Sequence, residues 1–331
     1  MSQKAITRIL IVVNLILMVI LFVILWLPGR VRKGPEEARL YFMRDISSLP
    51  FWIAQEKGFF DSVGVKIRAE EVVRVGDEIA MVRRGTVVLG VGFPWDALVG
   101  KADTGLVNFR VVYSLFGTPE KPATALISMK GFGVASLSDL TGKRIGYWQD
   151  TREALEIPAI LLSLGVDTSG IKMVALSSGE MPTAFADNRC DAMLVFEPMR
   201  TQYLADSAAV ILLEDAFLEK HLAPDGRLPV SVIFTSVPNL KLRREGTVRA
   251  IKALNMAVDY MKANPDEAKR IARANLNLPE NAEVPLPEFG RYDEEDYAVI
   301  ESYIKRLSEL SVVLFEPPGL KNLYLRTTDI K

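Results

Sequence analysis

Pro50-Phe51-Trp52-Ile53-Ala54-Gln55-Glu56-Lys57-Gly58-Phe59-Phe60, followed by Gly64-Val65-Lys66-Ile67, reads as a short helix closed by a glycine turn. Phe51, Ile53 and Ala54 face inward, with Trp52 read as core beside them. Gly58 supplies a left-handed cap, and Phe59-Phe60 seal that end. Outward from this helix, short apolar runs alternate with helical patterns. Ala38–Phe42, Val87–Val91, Val111–Leu115, Arg144–Tyr147, Lys172–Leu176, Ala192–Phe196, Val210–Leu213 and Val232–Thr235 read as buried strands. Ser48–Lys57, Asp77–Arg84, Thr151–Leu164, Met181–Asn188 and Met199–Asp206 read as helices, with Pro158 kinking or delaying the third. Such alternation predicts an α/β chain with mostly parallel sheets covered on both faces. The last hundred residues are mainly helical: Val248, Ile251, Leu254, Val258 and Met261 form one stripe, and Tyr297, Ile300, Ile304 and Leu307 another. Pro265 opens a helix between them.

The bulk numbers narrow the function classes. A chain of 331 residues suits two domains. Net charge is −1, so no global field draws it to nucleic acid. One cysteine, Cys190, excludes an internal disulfide, and one histidine, His221, leaves little for a zinc or iron site. No catalytic residue, metal or cofactor is expected, and the chain is read as a monomer.

Ile9–Leu27 carries no charge and ends at Pro28-Gly29. As a helix it spans roughly 28 Å, about the hydrocarbon thickness of a bilayer. No small-x-small cleavage site or lipobox cysteine follows, so an uncleaved single-pass anchor is expected in residues 1–35, with the remainder extracytoplasmic. Lys4 and Arg8 on one side nearly balance Arg30, Arg32 and Lys33 on the other.

The quoted stretch resembles the opening of the periplasmic solute-binding proteins of the nitrate, sulfonate, taurine and thiamine-pyrimidine-precursor group. Asp139-Leu140-Thr141-Gly142-Lys143-Arg144-Ile145-Gly146, Ala184–Ala192, Glu197-Pro198 and Asn264-Pro265-Asp266-Glu267-Ala268 follow in that group's order. The resemblance implies a type II periplasmic-binding fold. Lobe one would comprise 36–124 plus 233–331, lobe two 125–232, and a hinge would lie near Thr124 and Val230–Thr235. It also implies an ABC uptake system with a membrane permease as partner, and a protein that is not an enzyme. Rivals are an enzyme on a related fold, such as a pyrimidine synthase that consumes its own histidine with iron or a chorismate-lyase-like dehydratase, and a solute sensor for a membrane receptor. His221 is expected away from the cleft.

Ligands of open α/β sheets sit beyond the carboxyl ends of the strands. That rule selects Asp45 and Ser47 after the first strand, with Ser47 or Ser48 able to cap the next helix. It selects Phe93 and Trp95 after Val87–Val91, with Gly92 allowing close approach. It selects Asp150, Thr151 and Arg152 after Ile145, where the Tyr147-Trp148 pair departs from the small residues of the group, and Glu197 after Ala192–Phe196. Several have a bland alternative: a turn for Asp45, capping alone for Ser47, core for Trp95, solvent for Arg152, a hinge or surface ion pair for Glu197. Acids plus aromatics favour a heterocyclic or amine-bearing solute over nitrate or a sulfonate.

Overall fold

The computed structural model describes residues 13–19, 36–72, 75–102, 108–206, 208–223, 226–291, 297–312 and 322–330. Residues 1–36 and 37–331 form two compact units. In the first, 13–19 is helical, and its apolar side chains are exposed. The rest of the expected Ile9–Leu27 anchor lies outside the described residues. No helix among the described residues is long and apolar enough to cross a membrane, so the expected spanning helix is not confirmed.

The second unit holds eleven described strands: β1 (Glu36–Phe42), β2 (Val65–Glu71), β3 (Leu89–Pro94), β4 (Phe109–Gly117), β5 (Thr124–Met129), β6 (Arg144–Trp148), β7 (Lys172–Leu176), β8 (Ala192–Phe196), β9 (Val210–Asp215), β10 (Leu228–Ser236) and β11 (Glu288–Arg291). They make two sheets, ordered β11-β4-β10-β3-β1-β2 and β7-β6-β8-β5-β9. In the first sheet β1 runs parallel to β3, whereas β10 is antiparallel to both β3 and β4. In the second, β6 is parallel to β7 and β8, and β5 is antiparallel to β8 and β9. Both sheets are therefore mixed rather than mostly parallel as expected, because the late strand β10 returns antiparallel between β3 and β4 and β5 runs antiparallel to both its neighbours. Every residue of β3 is buried, as expected for a strand covered on both faces.

The helix Leu49–Glu56 follows β1. It packs Phe51, Ile53 and Ala54 into a core shared with Ile251, Leu254 and Val258 of helix Arg244–Ala263, and with Ile271 of helix Pro265–Leu276. Gly58 has φ 67°, the left-handed conformation its place after that helix requires.

Three local expectations change. Met181–Asn188 forms a 3-10 turn only at Met181–Thr183. Ser177 donates from its backbone N–H and its hydroxyl to Glu180, at 2.8 and 2.7 Å, fixing the turn that immediately precedes it. Val65–Glu71 and Glu288–Arg291 are strands without a strong apolar run, because each lies at a sheet edge. The helix containing Pro158 spans Glu153–Ser163, with the proline inside it.

Candidate functional site

The carboxyl ends of β1, β3, β6 and β8 converge on a cleft of about 650 Å³, a volume that includes its open mouth. Its wall contains Asp45, Ser47, Asp96, Glu153, Glu156 and Glu197, with Trp148, Phe196 and Tyr303 as its aromatic faces and Pro229–Ser231 along β10.

The first corner is built by a bulge. Val91 and Phe93 of β3 pair with Ile233 and Val232 of β10, which leaves Gly92 as an extra residue, with φ 79°. A methyl group on Gly92 would lie 2.8 Å from both the Ser47 and Ser48 hydroxyls. Glycine there lets the loop after β1 pack against β3. Within that loop Asp45 caps the short turn Ile46–Ser48 and accepts from the Ser47 backbone N–H at 2.7 Å and from the Ser47 hydroxyl. Ser48 turns the other way and donates to the Met43 carbonyl at 2.5 Å. The capping expected of the serines therefore falls to Asp45, whose longer side chain reaches back over the turn.

The second corner joins two helix starts. Asp96, the second residue of helix Trp95–Ala102, accepts from the Ala97 backbone N–H at 2.7 Å and from the Arg152 backbone N–H. Arg152 precedes helix Glu153–Ser163, and its guanidinium donates to the Val312 carbonyl at 3.2 Å. Glu153 accepts from the Trp148 backbone N–H at 3.0 Å. Glu156, one turn on, accepts from the Tyr303 hydroxyl at 2.9 Å. Glu153 and Glu156 are 2% and 1% exposed, and Tyr303 is 3% exposed.

Burial dominates the electrostatics. Desolvation raises the Asp96 carboxyl to about 6, Asp45 to about 7 and Glu156 to about 8, and holds Glu153 well above the usual carboxylate range. The Ser47 hydroxyl and N–H pull Asp45 back down, and Tyr303 does the same for Glu156. At neutral pH this wall therefore holds protons that exposed acids would have lost.

Glu197 forms the third corner, at a cis peptide bond with Pro198. It accepts from Arg200 at 2.8 Å and from the Thr201 hydroxyl at 2.9 Å. Arg200 also grips Asp215 through two bonds of 2.8 and 2.6 Å. Glu197 thus lines the cleft while engaged in an ion pair.

Of the residues selected from sequence, Asp45, Ser47 and Glu197 are brought together on the cleft wall. Phe93 and Trp95 are fully buried, packed edge to face with Phe234 at 5.3 Å and Tyr303 at 5.8 Å. At the junction of β3 and its helix their neighbours Pro94 and Asp96 take the wall instead. Asp150 is exposed at φ 64°. Thr151 donates to the Trp148 carbonyl at 2.5 Å, which closes the turn after β6, and Arg152 contributes its backbone. Asp96, Glu153, Glu156 and Tyr303 were missed. The spacing of Glu153 and Glu156 puts both on one helix face, a signal that could have found two of them.

The indole N–H of Trp148 is buried and has no hydrogen-bond partner among the described residues. It stands beside Phe196, with ring centroids 5.9 Å apart. On the wall these two rings stand next to acids able to accept or donate. His221 lies elsewhere: its Nε2 is 3.0 Å from Glu214, and its backbone carbonyl accepts from Arg306 at 2.8 Å. Among the described residues no group of three or more His, Cys, Asp or Glu is arranged to hold a metal ion.

A family model described as NMT1/THI5 like matches residues 45–268. A curated relative from Legionella pneumophila, 4-amino-5-hydroxymethyl-2-methylpyrimidine phosphate synthase, is 23% identical over 270 residues, covering 78% of this chain and 82% of that protein. Two fungal relatives bear the same name, at 31% and 33% identity, and match about 30% of this chain. Among solved structures, the alkanesulfonate-binding protein SsuA of Xanthomonas axonopodis pv. citri superposes with a TM-score of 0.68 at 17% identity, covering 89% of this chain and 99% of that one. The nitrate-binding protein NrtA of Synechocystis gives 0.64 at 12%, covering 87% of this chain and 84% of its own. The fold is thus an α/β periplasmic-binding-protein fold with two mixed sheets. The relatives' shared name overturns one expectation: a protein that is not an enzyme does not follow from this sequence, since the curated proteins it matches are synthases.

Proposed function

The chain belongs to the NMT1/THI5-like family, and on that premise we propose that its cleft binds a small NH-bearing heterocycle of the aminopyrimidine class and that the protein acts on it as an enzyme. The observation that carries the ligand class is the wall of protonatable acids beside the Trp148 and Phe196 rings. An aminopyrimidine edge presents a ring nitrogen that accepts and an exocyclic amine that donates. A buried carboxyl group complements both, and Trp148 and Phe196 supply apolar contact.

The relatives' name favours synthase chemistry on this class of molecule. Carboxyl groups held near neutrality suit general acid–base steps, in which Glu156 and Asp96 would move protons to and from a ring nitrogen or amine. A version that consumes a histidine of the chain with iron does not fit. His221 is bonded to Glu214 outside the cleft wall, and the described residues offer no metal-holding cluster.

A second reading rests on the fold neighbours, which bind sulfonate and nitrate. In it the two lobes, 36–124 plus 233–331 and 125–232, close on the same heterocycle and deliver it to a membrane permease from the extracytoplasmic side, with Ile9–Leu27 in the bilayer. Purified protein should be warmed with aminopyrimidines, simple amines, nitrate and methanesulfonate, and the products of each mixture followed by mass spectrometry. Stabilisation by the aminopyrimidine is expected under both readings. Its chemical conversion supports the enzyme, unchanged recovery supports delivery, and stabilisation by nitrate or sulfonate alone sinks the ligand class.

A further inference from the structure

The cleft opens sideways into a second space. Asp45, Trp148, Phe196 and Glu197 line both, so the two are continuous through a neck that carries the two aromatic rings. The outer chamber measures about 1130 Å³, a volume that includes open solvent. One of its sides comes from the loop after β1 and the end of helix Pro265–Leu276, the other from the segments that follow β7 and β8.

Local hydrogen bonds fix both sides. Arg44 donates to Glu71 at 3.0 Å and to the Asn275 carbonyl at 2.9 Å, which clamps the end of helix Pro265–Leu276 to the loop carrying Asp45. Asn277 then turns the chain at φ 55°, and the Leu278 N–H donates to the Arg273 carbonyl at 2.9 Å. Leu276 and Leu278 are left half-buried on the chamber wall. Opposite them, Glu180 holds the turn at Ser177 and is itself held by Arg189. Met181 follows that turn, and Met199 opens helix Met199–Ala205 after β8.

The chemistry of this chamber differs from that of the inner cleft. Beyond the neck its two charged side chains, Arg44 and Glu71, are paired with each other. Met181, Met199, Leu276 and Leu278 supply apolar surface from three separate segments of the chain. Methionine is unbranched and flexible, so such a wall moulds itself to an irregular apolar group. Covering this surface with a ligand group removes it from water, which favours binding.

We infer that the ligand has two parts: the ring in the inner cleft and, joined to it through the Trp148–Phe196 neck, an uncharged apolar group in the outer chamber. The inference rests on the heterocycle reading above and deepens it by adding a second subsite. A group carried on C2 of the ring leaves the hydroxymethyl oxygen free for a phosphate, so the subsite is compatible with the phosphorylated compound in the relatives' name.

Isothermal titration of the full chain at pH 7 compares 4-amino-5-hydroxymethyl-2-methylpyrimidine with two extended forms: the analogue with phenethyl in place of the 2-methyl group, and the 5-benzyl ether. At least one extended form is expected to bind about tenfold more tightly than the parent, the scale set by burying one phenyl-sized group. Which one gains reports the side of the ring that faces the neck. Met199→Ala combined with Leu278→Ala should shrink that gain several-fold, with the parent compound as internal reference, because both side chains line the outer chamber and not the inner cleft. A gain unchanged in the folded double variant, confirmed by circular dichroism, overturns the placement. Binding of the parent with no gain from either extension overturns the second subsite and leaves the heterocycle reading standing. Failure of all three compounds to bind overturns both.

Discussion

The Tyr303 hydroxyl donates to the Glu156 carboxyl at 2.9 Å, tying helix Tyr297–Glu309 to helix Glu153–Ser163 inside the cleft wall. Both partners are almost fully buried, so this bond is made away from water. Tyr303→Phe keeps the ring against Trp95 and removes the hydroxyl. It should cost roughly 1–3 kcal/mol, the loss expected when a buried acceptor is left without its donor. Urea denaturation monitored by tryptophan fluorescence measures it.

Stability should fall as pH rises. Folding raises Glu156 to about 8, Asp45 to about 7 and Asp96 to about 6 by desolvation. In the unfolded chain these carboxyls ionise near ~4. Between ~4 and 8 the folded chain therefore binds more protons than the unfolded one, and stability declines through that window. The apo protein should melt at a lower temperature at pH 8.5 than at pH 5.5. Glu156→Gln, which carries no titrating proton, should flatten the slope, as calorimetry at several pH values will show.

Gly92→Ala should loosen the first corner. The new methyl group would sit 2.8 Å from the Ser47 and Ser48 hydroxyls at a φ of 79° that alanine resists. Strain of this kind costs about 1–3 kcal/mol. Ligand affinity should drop with it, because the loop carrying Asp45 must move. Equilibrium denaturation together with ligand titration reads both effects.

Glu219 anchors the passage from β4 to β5. It is fully buried and accepts from the Ala123 and Thr124 backbone N–H groups at 2.7 and 3.1 Å and from the Thr124 hydroxyl. Glu219→Ala strands those donors and should destabilise by about 1–3 kcal/mol for each group left unpaired. The shift of the denaturation midpoint measures it.

His221→Asn should leave ligand affinity and any turnover within twofold of the parent, because His221 pairs with Glu214 away from the cleft wall. Turnover assays and titration test this. A large loss of turnover would return the histidine to the reaction.

Eight of the described strands were legible because burial on both faces writes a continuous apolar run, as in Val87–Val91, whereas the equally buried β5 was not read as a strand. The loop carrying Asp45 and Ser47 was legible because ligand loops follow strand ends. Trp95 and Asp96 show where legibility stops. They are adjacent at a strand-to-helix junction, and only the path of the chain decides which faces the cleft. Glu156 and Tyr303 were illegible for another reason: they are 147 positions apart, and no local pattern links them. Asp150 and Thr151, selected as ligand residues, sit on a turn before helix Glu153–Ser163, and Glu153 takes the wall instead.

A crystal structure of the protein grown with 4-amino-5-hydroxymethyl-2-methylpyrimidine tests the central claim most directly. The account predicts the ring against Trp148 and Phe196, its nitrogen and amine within hydrogen-bond distance of the acids on the cleft wall. A cleft that instead holds an oxyanion on backbone N–H groups freed from Asp45 or Asp96, or a pyrimidine bound elsewhere on the chain, would contradict it.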